Sequence, residues 1–126
     1  MRIWDLPPAL LCRKHLLGEH QELHDLWNIL VKLSRGEKPG YRSHPETLRW
    51  IGHGIALSAR HDRLQKEILR RGYTHQSDLV VLDGADRLQL FAEVGDPPPL
   101  HTIVEQVDIL RSKGCGCWAR IQNASL

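Results

Sequence analysis

Behind Pro7 and Pro8 the chain runs from about Ala9 to Arg35 without a helix breaker. Leu16, Leu23, Trp27 and Leu30 recur there at helical spacing, which predicts one long helix ending near Gly36. The Gly36-Glu37-Lys38-Pro39-Gly40 loop follows. Ser43-His44-Pro45-Glu46 then reads as an N-cap, a first-turn proline and a capping-box glutamate. A second long helix is expected from there to Gly72, with Leu48, Ile51, Ile55, Leu64 and Ile68 turned to a core and Gly52 and Gly54 weakening its middle. Past Tyr73 the periodicity fades: Leu79 to Leu82 reads as a short strand and Asp86 to Val94 as a short helix. After Pro97-Pro98-Pro99, the stripe Leu100, Ile103, Val104, Val107 and Leu110 predicts a third helix closed by Lys113-Gly114. No pattern supports a parallel sheet, a nucleotide-binding glycine loop or a serine-hydrolase elbow. An all-α fold of about three main helices is the expectation, with residues 1–126 as one domain.

Composition excludes more than it adds. With 41% hydrophobic and 25% charged residues the chain has the balance of a globular protein, not of a disordered one. No apolar run reaches the roughly 20 residues needed to span a bilayer, and Met1-Arg2-Ile3-Trp4-Asp5 is no signal peptide, so a soluble, cytoplasmic or nucleoid-associated monomer is expected. Three cysteines (Cys12, Cys115, Cys117) form no evident disulfide framework and suit a reducing compartment. Net charge is only +2 but uneven: residues 42–71 hold seven Arg/Lys against three Asp/Glu, residues 72–100 one against five. The basic stretch is a candidate face for a polyanion, or simply a solvated helix surface.

On the first helix His15, Glu19 and Glu22 share one stripe, which fits an amphipathic helix's wet face as well as a reactive site. His20 and His24, one turn apart, could offer two imidazoles to zinc, yet Glu22 points about 200° away from His20 and cannot serve such a metal. Cys115-Gly116-Cys117 could supply two thiolates, but no second pair stands at recognisable spacing, so ordinary thiols, no metal and no cofactor are expected.

The run His15-Leu16-Leu17-Gly18-Glu19-His20-Gln21-Glu22-Leu23, about a dozen residues behind an Arg-Ile start, resembles the pyrimidine-dimer DNA glycosylases of the phage endonuclease V type. The likeness continues from His44-Pro45-Glu46-Thr47 to Leu69-Arg70-Arg71-Gly72-Tyr73. It then weakens until Ile109 to Cys117, which is similar to the ending of short bacterial relatives.

The resemblance implies a compact helical domain that binds damaged double-stranded DNA and attacks deoxyribose C1′ with its terminal α-amine. A Schiff base forms as the base departs, and β-elimination then cuts the strand. It places the nucleophile at Met1, which bulky Arg2 should protect from removal, and the catalytic carboxylate at Glu22, with His15 and Glu19 shaping the site. An α-amine suits this task because its ordinary pKa of about 7.7–8.0 leaves a useful neutral fraction at pH 7. Gln21 and Asp25 depart from the family by standing where the phage protein has arginines. Arg2, Lys14, Arg42, Arg49, Arg60 and Lys113, with Arg13 behind them, are the candidates to replace that charge on DNA. Trp4, Trp50 and Trp118 could stack on an exposed base or be ordinary core. A DNA-binding helical module without activity and a His-rich metal-binding bundle are the competing readings.

Overall fold

The structure, a computed structural model, describes residues 1–74, 79 and 95–124. Among them every regular element is helical: a 3-10 turn at Pro8–Leu10, then α1 (Arg13–Ser34), α2 (Pro45–Trp50), α3 (Gly54–Arg70), α4 (Ile103–Ser112) and α5 (Cys117–Ala124). The short strand expected at Leu79 to Leu82 and the helix at Asp86 to Val94 lie outside the described residues, Leu79 excepted.

α1 follows the expected stripe closely. Leu16, Leu23, Leu26, Trp27, Leu30 and Val31 are buried, and the helix ends where Gly36 turns to φ 80°, a conformation glycine adopts without steric cost. It starts later than expected because Pro8–Leu10 closes its own turn, leaving Cys12 as N-cap.

The long second helix is in fact two. Gly52 takes φ 82°, the His53 amide bonds back to the Trp50 carbonyl at 2.9 Å, and α3 restarts at Gly54. Not every expected core position faces inward. Leu48, Ile51 and Ile55 are exposed, while Thr47, Trp50, Ala56, Leu57, Leu64 and Ile68 are buried. Ile55 stands nine residues, about 180° around the helix, from Leu64 within α3, so the expected apolar positions did not all share one face, and Ala56 and Leu57 are buried in its place. The N-cap is also one residue later than expected: His44 Nδ1 accepts from the Glu46 amide, and the Glu46 carboxylate turns inward to the Trp50 indole N–H at 2.9 Å.

α4 begins with a full capping box between Thr102 and Glu105. Its expected apolar stripe is largely exposed at Leu100, Ile103 and Val104, whereas Gln106 and Leu110 face inward. α5, absent from the sequence reading, packs against α4 and the 3-10 turn.

α1 and α3 pack side by side, and the first eleven residues, with their 3-10 turn, lie over them with Ile3, Trp4, Leu6 and Leu11 in the same core. Burying each such side chain contributes about 1.5–3 kcal/mol. The extended strand of chain leaves carbonyls that no helix satisfies, and arginines supply the donors. Arg60 Nη1 donates to Leu6 O at 2.7 Å, Arg71 Nη2 to Leu11 O at 2.7 Å, and Arg49 Nη1 to Ile3 O at 3.4 Å. From α4, Gln106 exchanges two bonds with Asp5 at 2.8 and 2.9 Å. The chain's beginning is thereby fixed in place from several sides.

Candidate functional site

The N-terminal segment ends its path beside the middle of α1. There the Arg2 backbone N–H donates to Glu22 Oε2 at 2.7 Å, which sets the Met1 α-amine one residue from that carboxylate. The half-buried Met1 and Glu22 share a cavity of about 250 Å³ with Asp25, Ile29 and Tyr41. A second cavity of about 250 Å³ is lined by Arg2, Trp4, Lys14, His15, Gly18, Glu19, Glu22 and Lys113. A third, of about 520 Å³, takes in Met1, Arg2, Asp5, His44, Arg49 and His101. Met1 and Glu22 share the first of these hollows, Met1 also lines the third and Glu22 the second, and the arrangement offers an amine and a carboxylate to one bound group.

Glu19 occupies a different position from the polar stripe expected of it. It is 2% exposed, and Arg60 grips it with Nε at 2.7 Å and Nη2 at 2.8 Å. Complete burial pushes its carboxyl up from the ordinary value, and the Arg60 hydrogen bonds and charge oppose that. Arg60 is itself 3% exposed, so it is a buried partner of Glu19 and Leu6 with no surface for a phosphate, and the expectation that it contacts DNA is corrected. Arg49 is similarly committed: its side chain is 3% exposed and pairs with Asp5 and, at 2.8 Å, with Glu46. The basic stretch was a reasonable candidate for a DNA face, but several of its cations hold the protein's own carbonyls and carboxylates.

Of the other expected cations, Lys14 and Lys113 are exposed and line the cavity that contains Glu22. The Arg2 guanidinium lies over the Trp4 ring at 4.8 Å on the same wall. Arg42 is exposed and bonds Pro39 O, and Arg13 lies over the Tyr73 ring at 5.2 Å, away from that cavity. Gln21 is exposed and donates to Asp25 at 3.1 Å. Trp4 and Trp50 are buried, so neither is available to stack on a base, while half-buried Trp118 carries Arg111 over its ring at 4.8 Å.

Tyr41 went unnoticed in the sequence. It is 73% exposed at the rim of the Met1–Glu22 cavity and holds φ 60°, a left-handed conformation rare for a residue with a side chain. Its signal was local: an aromatic directly after Gly40 in a loop that precedes a helix.

Two side-chain clusters could hold a metal. In one, His15 meets Cys12, Cys115 and Cys117; in the other, His20, His24 and His61 converge. The sequence reading set aside the His20–His24 pair, and the Cys115–Cys117 pair for want of a second pair at recognisable spacing; the fold brings further donors to each. The partner pair for Cys115 and Cys117 is Cys12 and His15, one helical turn apart at the start of α1, more than a hundred residues away. Burial raises the Cys12 thiol, but hydrogen bonds from the His15 backbone and ring and from the other two cysteines outweigh it and bring it down to about 6. Burial pushes Cys117 up to about 12, with its neighbouring sulfurs reinforcing the shift against the Cys12 backbone N–H.

A family model described as pyrimidine dimer DNA glycosylase matches residues 1–80, more than half of the chain. No curated protein and no solved structure matches the chain. The matched span holds Met1, Arg2, Glu19, Glu22 and the three arginines that grip the N-terminal segment.

Proposed function

The chain belongs to the pyrimidine dimer DNA glycosylase family, and on that premise we propose that it removes damaged bases from double-stranded DNA and then cuts the strand at the resulting abasic site. The neutral α-amine of Met1 attacks deoxyribose C1′. The C1′–N bond breaks with its electrons going to the departing base; the new nitrogen then loses a proton, and the C1′–O4′ bond opens with O4′ taking a proton, which leaves a Schiff base, cationic when protonated. Glu22 stabilises the cation and takes the C2′ proton, so that the C3′–O bond breaks by β-elimination. Lys14, Lys113 and Arg2, on the cavity wall, meet the phosphates on either side, and Tyr41 stacks on a displaced base from the rim. His15 and Glu19 act from behind, as residues that hold the wall and the helix in place.

The single observation that carries this reading is the 2.7 Å bond from the Arg2 amide to Glu22, which joins the start of the chain to the one partly exposed carboxylate of the matched helix stripe. No helix among the described residues is long and apolar enough to cross a membrane. The test is borohydride reduction with a duplex containing an abasic site. A covalent adduct that maps by mass spectrometry to the peptide beginning at Met1 supports the mechanism. An adduct on Lys14, or none at all, overturns it.

A further inference from the structure

We propose that Cys12, His15, Cys115 and Cys117 form a four-ligand site for a divalent zinc-like metal, which ties the start of α1 to the turn between α4 and α5. His15 Nδ1 stands 3.2 Å from the Cys12 sulfur, 3.4 Å from that of Cys115 and 3.5 Å from that of Cys117. One ring nitrogen offers either one proton or one lone pair, so it cannot make three well-formed hydrogen bonds at once. Four ligands around one ion account for the distances. With Zn–S near 2.3 Å and Zn–N near 2.0–2.1 Å, a tetrahedron has N···S edges of about 3.5 Å and S···S edges of about 3.8 Å. All four donor atoms lie within 4.8 Å of one another.

The surroundings fit a thiolate site as well. The Cys12 backbone N–H donates to the Cys117 sulfur at 3.0 Å, the kind of outer contact that steadies a charged metal ligand. A side chain at position 116 would bring a Cβ to 3.3 Å from the Cys12 Cβ, so glycine between the two cysteines lets the strands of the knuckle approach. Binding releases the protons of the thiols that carry them, and leaves His15 neutral with its proton on Nε2. The site lies behind the cavity that holds Glu22, because His15 lines that cavity and Lys113 precedes Cys115 by two residues. Its role is then to fix Lys14 and Lys113 on the wall.

The full-length chain purified with zinc present should contain the metal, and cobalt in its place should show thiolate-to-cobalt charge transfer with the intense visible bands of a tetrahedral ion. Cys115→Ser, at a half-buried position, should lose one equivalent of metal and most of the charge transfer. Chelation should lower the Tm of the parent by more than that of Cys115→Ser, which lacks the thiolate site. Cys117→Ser, at a buried position, is the second variant, read by the same cobalt spectrum in whatever folded fraction remains. Cobalt-loaded parent without a charge-transfer band, or a chain two hydrogens lighter with Cys12 joined to Cys115 or Cys117, overturns the assignment.

A second observation stands independently of the first. His24 Nε2 lies 3.1 Å from both His20 Nε2 and His61 Nε2, bridging α1 and α3. Three nitrogens on one metal at about 2.05 Å would be about 3.3 Å apart in a tetrahedron, and His61 Nδ1 has the Asp62 carboxylate at 3.4 Å to orient it. We infer a separate three-imidazole site for a divalent transition metal. Cys115→Ser loaded with cobalt should keep one equivalent with a spectrum free of thiolate charge transfer, and His24→Gln added to it should remove that equivalent. Metal-free Cys115→Ser after loading and desalting overturns this second site.

Discussion

Replacing Glu22 by glutamine separates the contact that the structure gives this side chain from the catalytic role proposed for it. Its Oε2 accepts from the Arg2 amide at 2.7 Å, and a glutamine carbonyl can accept the same bond. The N-terminus should therefore stay in place, at a cost of about 1 kcal/mol for the weaker neutral acceptor. What is lost is the proton acceptor, worth about 10²–10⁴ in rate, or roughly 2.7–5.5 kcal/mol of barrier. Glu22→Ala removes the anchor too, and a displacement of Met1 by about 1 Å can cost a further hundredfold. The assay is single-turnover nicking of a duplex with one abasic site, run beside a binding measurement on the same DNA. Parent above Gln above Ala, with binding nearly equal, is the expected order. Glu22→Gln nicking at the parent rate would show that another group takes the proton. Gln and Ala variants of equal rate would show that the Arg2 contact does not place the amine.

Arg60→Met leaves Glu19 buried without its partner, which should cost about 3–5 kcal/mol; at about 2.1 cal/mol/K per residue over 126 residues this is a fall in Tm of roughly 11–19 °C by calorimetry, and a fall under about 2 °C would refute the buried pair. Lys14→Ala and Lys113→Ala should each reduce the slope of log affinity against log salt by about 0.9 while leaving folding intact, and an unchanged slope in both would take them off the DNA face. Tyr41→Ala should weaken binding to lesion-bearing duplex by about 1–3 kcal/mol without lowering Tm, and equal affinity by fluorescence anisotropy would end its role as a stacking group. Hydrogen bonds from Arg70, aided by its charge and by Arg71, hold the Glu67 carboxyl below its ordinary range. It therefore stabilises the fold above about pH 4.3 and loses that effect as pH falls through the lower folded value. The Tm gap between the parent and Glu67→Gln should close on acidification, and a gap constant from pH 7 to 3 would contradict this.

Helical character was legible because it depends on local repeats. Leu16, Leu23, Trp27 and Leu30 fix the buried face of α1 whatever surrounds it, and the glutamate stripe with the Arg-Ile start carried the family. Glu22 was singled out by its match to the glutamate of the family motif. Its contact with Arg2 could not be, since that bond needs the N-terminal segment to fold back over α1, and carbonyls held by Arg49, Arg60 and Arg71 bring it there. Charge counting along the chain therefore assigned Arg49 and Arg60 to DNA: a sequence records a cation but not whether a carboxylate awaits it in the core. Gly52 was legible only as a weak point in the helix, because a glycine permits a left-handed turn without requiring one. The thiol cluster depends most on tertiary structure. Cys12 and His15 show only a one-turn spacing, Cys115 and Cys117 only a Cys-Gly-Cys, and four donors within 4.8 Å arise once α5 folds back against the start of α1. Local spacing fixes what one helix presents; which distant groups share a proton, a charge or a metal is decided by how the helices pack.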